Sequence, residues 1–417
     1  MENIRGNLIS IKPSATLTIN EFSKKLEKEG KKIYKFGLGQ SPFPVPDIVV
    51  KELKLNAHQK DYINVSGLLE LREKIAEYHS KKNKHIYYSD NVIIGPGSKE
   101  LIFQSQLTIK GDVLLPSPSW VSYAPQAKII KKNIHWLKTS AETNWHLTPE
   151  ILDKKCKQLK NKKKLLILNS PNNPSGTVIK DLKDIAQVAK KYNLIILSDE
   201  IYAELDYTGK YKSITHYYPE KTIISSGISK WCGAGGWRLG TLVFPKELNQ
   251  IKNIIRSIAS ETYTSVSAPI QYAAIKAYSE NHQNYLDLSR KILKYIGIYI
   301  YKELNSVGIK CQKPQGGFYM LCDFSKIISL SNRISDSPTL CKTILNDIGF
   351  AMLPGCDFGI DKKKLITRIA FVDFDGKKAL KAAKKNQNFD ADYLKKVCPN
   401  IINGIKKLSN WIKSYPL

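Results

Sequence analysis

Apolar and polar residues alternate in blocks along the first two thirds of this chain. Asn91 to Ile94, Asp112 to Leu115, Leu165 to Asn169 and Leu194 to Ser198 are short apolar runs, and a further run lies near Ile134. Their length and composition predict strands buried on both faces. The stretches between them carry helical spacing. Leu68 to Lys82 is apolar at 68, 71, 75 and 78, and helices are also predicted from Ser98 to about Leu107, toward Ile129, from Pro149 to Leu159 and from Asp181 to Tyr192. Strands alternating with helices predict an α/β fold with a mostly parallel, doubly wound sheet. Such sheets bind ligands beyond the C-terminal ends of their strands, and polar residues gather there in this sequence.

Past Arg238 the alternation loosens. Pro245 to Ala259, Ala268 to Tyr278 and Tyr285 to Ser306 read as helices. Gly316 to Leu321 and Leu365 to Phe371 read as strands, with a helix near Pro338 to Ile348 and a last one at Pro399 to Trp411. This irregular order predicts a smaller α+β domain. Upstream, Asn20 to Glu29 is amphipathic, and Phe36 begins a short strand that breaks into a Gly/Pro turn. Asp375 to Tyr393 is lysine-rich and predicts an exposed helix and loop.

Composition narrows the class. At 417 residues the chain is long enough for two domains. Its apolar runs fall far short of the roughly 18–20 residues of a membrane span, and Met1 to Ser10 has no apolar signal core. The seven cysteines are scattered, without a Cys-x-x-Cys pair or a histidine cluster. That predicts small buried thiols, no metal site and a reducing, cytoplasmic setting. Net charge is +28, but of 65 basic residues seven are arginine and 58 lysine, spread along the whole chain. A specific nucleic-acid reader favours arginine forks, so a lysine-rich solvated surface is the preferred account.

Candidate chemistry centres on residues 225–240, Ser-Ser-Gly-Ile-Ser-Lys-Trp-Cys-Gly-Ala-Gly-Gly-Trp-Arg-Leu-Gly. The turn presents Lys230, and Arg238 follows eight residues later across a glycine-rich backbone that a ligand can approach closely. An amine with a guanidinium suits a phosphate that bears an aldehyde. Gly95-Pro96-Gly97-Ser98-Lys99-Glu100 joins a strand to a helix N-terminus, a setting for phosphate. Asn172-Asn173-Pro174-Ser175-Gly176 and Asp199-Glu200-Ile201-Tyr202 each end a predicted strand. Taken singly these have plain alternatives: Asn173 as a turn residue, Asp199 as a helix N-cap, Trp120 as core. Arg368 lies in an apolar strand, where a guanidinium needs a partner.

Taken together and in order, these motifs resemble those of the class I/II aminotransferases, pyridoxal-phosphate enzymes of fold type I. The resemblance runs from about Lys35 to Phe371. It implies a large cofactor-binding domain over 46–290, a small C-terminal domain over 291–417, and an N-terminal arm at 1–45 that joins the small domain. It implies that Lys230 is the Schiff-base lysine and proton carrier, that Asp199 partners the pyridine nitrogen, and that Asn173 and Tyr202 bond the phenolic oxygen. It places Trp120 on the ring face and the phosphate among Gly97, Ser98, Lys99, Ser226, Gly227 and Arg238. Many relatives have a hydroxyl residue where this chain has Gly227. Tyr62 would reach the phosphate of a neighbouring subunit in a homodimer with shared active sites. Arg368 would grip the substrate's α-carboxylate, with Gly39, Trp120 and Asn173 beside it. The segment Gly39-Gln40-Ser41-Pro42-Phe43-Pro44 departs from the family's Gly-x-Pro-Asp.

The implied activity is a two-step exchange of an amino group between an L-amino acid and a 2-oxo acid. The same core also serves carbon–sulfur lyases, decarboxylases and synthases, and a basic nucleic-acid-binding protein on this scaffold is the remote alternative. The side chain accepted is left open. Arg256 is the candidate second arginine for a dicarboxylate, whereas Tyr123, Tyr263 and Phe318 would permit an aromatic or bulky apolar substrate. Residues 375–417 exceed what the family core needs.

Overall fold

The structure is a computed structural model that describes residues 5–9, 11, 13–159, 162–328, 334–385 and 389–415. Helices α1 (Ala15–Lys28), α2 (Asp47–Leu55) and α3 (Leu69–Asn83), with the short strand β1 (Tyr34–Lys35), lead into the central sheet. Its strands are β2 (Val92–Gly95), β3 (Asp112–Ser117), β4 (Ile134–Lys138), β5 (Lys164–Asn169), β6 (Ile195–Asp199), β7 (Thr222–Gly227) and β8 (Gly240–Val243). The helices among them are α4 (Ser98–Thr108), α5 (Tyr123–Ile129), α6 (Pro149–Gln158) and α7 (Leu182–Lys191). Then follow α8 (Asn249–Ser260), α9 (Ala268–Ser279) and the long α10 (Gln283–Ser306). The C-terminal third holds β9 (Lys310–Cys311), β10 (Tyr319–Asp323), α11 (Ser337–Ile348), β11 (Phe350–Ala351), β12 (Leu353–Pro354) and β13 (Ile366–Ala370). Three helices close the chain: α12 (Gly376–Lys385), α13 (Ala391–Val397) and α14 (Pro399–Lys413).

The sheet order is β2-β8-β7-β6-β5-β3-β4, parallel except for β8, which runs against both β2 and β7. Side chains alternate faces along each strand, and the core divides accordingly. Val113, Leu115, Leu165, Ile167, Leu197 and Ile223 pack on one side with Leu101 of α4 and Ile255 of α8. Leu114, Leu166, Leu168 and Ile196 pack on the other, with Leu152 of α6 and Ile185 of α7. Because β2, β3, β4, β5, β6 and β7 run in one direction, they all end on one edge, and the loops that leave that edge carry the candidate residues. The predicted alternation is present within a few residues of its expected bounds.

The smaller sheet is antiparallel, in the order β12-β13-β10-β9, and β1 pairs in parallel with β11. That parallel pair joins residues more than three hundred apart in sequence, a contact no local pattern announces. Neither β8 nor α2 is predicted from the sequence, and α8 starts only at Asn249, after a single turn at Lys246–Leu248. Residues 376–385 do form a helix with exposed Lys377, Lys378, Lys381, Lys384 and Lys385. It is not a free-standing exposed piece, however. Ala379, Leu380 and Ala383, spaced three and four apart, bury a stripe against α10. Residues 386–388 of the expected loop lie outside the described residues. Helix α14 buries Ile401, Ile405, Leu408 and Ile412 and crosses β1 at Gly404, where an added Cβ would come within 2.9 Å of Phe36. Six of the seven cysteines are buried and all are free thiols.

Candidate active site

Most strand ends on the ligand edge deliver a group to a common cleft. Strand β6 ends at Asp199, which is buried and opposite Asn169 in register. Asn169 ties two loops together: its amide donates to the Asp199 carbonyl (2.9 Å), and its side-chain oxygen accepts the Asn173 N–H (2.8 Å). The Asp199 carboxylate accepts a 2.5 Å bond from the Tyr123 hydroxyl and a 3.3 Å bond from the Ile201 N–H. Burial raises its pKa to about 6, with the Tyr123 and Ile201 bonds pulling the other way. Glu204 anchors the loop beyond Tyr202, because its carboxylate takes Tyr78 and Lys82 of α3 and Arg290 of α10.

Strand β7 delivers Lys230. Its Nζ donates to the Gly39 carbonyl (2.7 Å) and lies 5.7 Å from the Tyr202 ring centre and 5.8 Å from that of Phe318. Burial lowers its pKa to about 8, assisted by repulsion from Arg368, Arg238 and Lys99 and opposed by Asp199. A lysine so placed is partly neutral near physiological pH, as a nucleophile or base must be.

The glycines and Arg238 meet at the start of β8. Gly227 and Gly95 both register with Gly240. A Cβ on Gly240 would sit 2.2 Å from the Ser98 nitrogen, so the α4 N-terminus, Ser226 and Gly227 close on one another. A Cβ on Gly227 would meet the Leu239 carbonyl at 2.6 Å. This backbone has no room for the hydroxyl side chain that many relatives carry there. Arg238 holds a left-handed φ of 56° and donates to the carbonyls of Gly235 (2.8 Å) and Pro96 (3.4 Å). Gly97, at φ 93°, lies under its guanidinium.

Arg368 comes from β13 and is buried. Its guanidinium donates to the Gly37 carbonyl and to Asn173 Oδ1 (3.4 Å), and lies over the Tyr319 ring at 4.8 Å. Its Nε, fully enclosed, has no hydrogen-bond partner among the described residues. A buried guanidinium with an unpaired donor suits a carboxylate.

Trp120 packs edge-on to Tyr123 at 5.2 Å, and the Lys99 amine stands 5.3 Å from its ring. The Lys99 side chain turns toward a cavity of about 1180 Å³, which Trp120, Phe22, Val121, Met352 and Asp357 also line. Tyr62 is 89% exposed. Arg256 is exposed on α8 beside Lys252 and does not line the cavity. Tyr263 bonds the Ile94 carbonyl, and Phe318 packs edge-on to Tyr202 at 5.6 Å.

The structure therefore brings Gly39, Lys99, Trp120, Asn173, Asp199, Tyr202, Lys230 and Arg368 to one cleft, with Gly97, Ser98, Ser226, Gly227 and Arg238 at one end. Two contributors are not singled out by their motifs. Tyr123 serves Asp199 rather than lining a substrate pocket, and Tyr319 bonds Tyr202 at 2.8 Å. Tyr123, three residues past Trp120, is expected from the sequence as a pocket aromatic, and Tyr319 comes from the smaller sheet; a packed tyrosine carries no local mark of such a role.

The cleft fits pyridoxal phosphate on its own chemistry. Three cations repel Lys230, an excess of positive charge that a phosphate and a substrate carboxylate would neutralise. The buried Asp199 takes bonds from neutral donors and lacks a salt-bridge partner among the described residues, leaving a place for a protonated ring nitrogen.

Comparison with known proteins agrees. The sequence profile of the family described as aminotransferase class I and II matches residues 31–383. An aspartate aminotransferase of Bacillus sp. (strain YM-2) is 31% identical over 377 residues, 86% of this chain and 93% of that protein. An asparagine–oxo-acid transaminase of Streptococcus mutans is 30% identical, with 86% and 93% covered. Thermus thermophilus aspartate aminotransferase with maleate superposes with a TM-score of 0.85 at 24% identity, over 98% of this chain and all of that one.

Proposed function

The chain belongs to the aminotransferase class I and II family and is a pyridoxal-phosphate-dependent amino-acid aminotransferase, and from that premise we propose that it acts on acidic amino acids. The single observation that carries this choice is the Lys99 amine, which faces the large cavity over Trp120 and has no carboxylate partner among the described residues. Arg368, whose buried Nε has no hydrogen-bond partner among the described residues, supplies the second cation from outside that cavity's lining. Two separated cations match the two carboxylates of an aspartate-like substrate, and several relatives carry aspartate or asparagine in their names.

The residues divide the work as follows. Lys230 would hold the cofactor covalently, Asp199 would partner its ring nitrogen, Asn173 and Tyr202 would bond its phenolic oxygen, and Trp120 would pack against the ring. Gly97, Ser98, Ser226, Gly227 and Arg238 would hold the phosphate, with Tyr62 reaching in from a second copy of the chain, whereas Lys99, expected there from the sequence, turns its amine over Trp120 toward the cavity instead. When bound, the cofactor supplies a ring that accepts the electrons left on the substrate Cα. Arg368 fixes the α-carboxylate and so orients the Cα–H bond toward Lys230. The Lys230 amine, once released by the incoming substrate, carries a proton from Cα at Nζ and gives it back on the far side of the exchange. Tyr123 keeps Asp199 aimed, because removing its hydroxyl leaves a buried oxygen unpaired.

Turnover of aspartate and of phenylalanine with one 2-oxo acid tests the substrate choice. Lys99→Met is expected to lower kcat/KM for aspartate roughly tenfold to a hundredfold, the worth of a lost charge-assisted bond, and to leave that for phenylalanine nearly unchanged. Equal losses for both would refute an acidic subsite at Lys99.

A further inference from the structure

We propose that Tyr319 is a positioning residue of the reaction, a hydrogen-bond donor that sets the hydrogen-bonding direction of Tyr202. This rests on the cofactor assignment given above. Tyr319 opens β10 in the smaller sheet and is almost wholly buried. Its hydroxyl lies 2.8 Å from that of Tyr202, which belongs to the loop beyond β6 of the central sheet. Its ring, 5.5 Å from the Tyr202 ring and nearly perpendicular to it, lies under the Arg368 guanidinium at 4.8 Å. Gly39 is shaped around it: a Cβ there would fall 1.9 Å from the Tyr319 hydroxyl.

The proton count gives the direction. Each phenol has one proton to donate. If Tyr202 is to donate to the cofactor's phenolic oxygen, its own oxygen must be the acceptor in the Tyr202–Tyr319 bond, and Tyr319 must be the donor. The other acceptor within reach of Tyr319 is the Gly39 carbonyl, at 3.4 Å, a longer and weaker contact than the 2.8 Å to Tyr202. Burial raises the Tyr319 pKa, so the hydroxyl keeps its proton throughout the working range. The charged and titratable groups facing the pair are Lys230 from beyond β7, Arg368 from β13 and Asp199 from the end of β6, with Asp357 acting on Arg368. A donor behind Tyr202 polarises its O–H and strengthens its bond to the cofactor oxygen. That bond favours the ionised oxygen and keeps the Lys230 linkage unprotonated at lower pH.

The test is a pH titration of the visible absorption band of the protein loaded with pyridoxal phosphate, for wild type and Tyr319→Phe, with far-UV circular dichroism as a check on folding. Tyr319→Phe keeps the ring under Arg368 and removes only the hydroxyl. We expect the midpoint to rise by roughly half to one pH unit, the size of one neutral hydrogen bond. We also expect KM for the amino acid to stay nearly constant while kcat falls at neutral pH. Tyr319→Leu, which also removes the ring, should raise KM as well. An unchanged or lowered midpoint in a folded Tyr319→Phe protein would overturn the proposal. A wild type that forms no visible band would instead overturn the cofactor assignment, so the two failures are distinct.

Discussion

Lys230 shows how a cleft makes one lysine different from the 57 others in this chain. Desolvation and three neighbouring cations bring its pKa down to about 8. Its amine is therefore half neutral near pH 8 rather than near the usual lysine value of about 10.4. Capture of added pyridoxal phosphate, followed as growth of the visible band, should accelerate as pH rises from 6.5 and level off above about 8.5. A rate still climbing in proportion to hydroxide at pH 10 would show an unperturbed amine. Much at this scale was legible in the sequence. Lys230, Asp199, Asn173, Arg238 and Arg368 stand in motifs whose order identifies them. The side-chain direction of Lys99 was not legible, because a residue in a helix's first turn can face phosphate or substrate with the same local sequence. Tyr123 and Tyr319 were not legible either, since their partners lie 76 and 117 residues away.

The elements explain why the site is where it is. Six strands ending on one edge follow from the parallel order, and that order follows from the alternating apolar runs. The edges of the pattern were harder to read. Strand β8 is four residues long and enters from a glycine-rich turn, so its pairing with β2 and β7 is a tertiary choice. The last helices are the clearest gain from the structure. With Ile401, Ile405, Leu408 and Ile412 buried, and with the Trp411 indole donating to Asp347 (3.0 Å), α14 is part of the core around β1. Ile405→Ala should cost about 2–5 kcal/mol of stability, read as a lower denaturant midpoint, while the loaded protein keeps the absorption maximum of the wild type. A stability change below about 0.5 kcal/mol would mean that α14 is peripheral.

At the scale of the whole molecule, the site is built from two sheets and, in our proposal, from two copies of the chain. Tyr62 is 89% exposed on a single copy, far from the fate of a buried catalytic tyrosine. If a second copy places it at the phosphate, Tyr62→Phe should weaken cofactor binding roughly tenfold, the worth of one charge-assisted bond, although the substitution removes nothing from its own subunit's core. Sedimentation should then show a dimer, since a second copy is needed to supply Tyr62 and two-fold pairs are the commonest assembly. A monomer with full cofactor affinity would remove this part of the account. The net charge of +28 is carried mostly by lysines on outward faces such as that of α12. The central claim is that Lys230 and its cleft run an amino-group exchange, and the most direct measurement is the visible spectrum of the protein loaded with pyridoxal phosphate. The account predicts a band that bleaches with aspartate, returns with a 2-oxo acid and is missing in Lys230→Ala. An identical band in Lys230→Ala, or a bleached band that no 2-oxo acid restores, would contradict it.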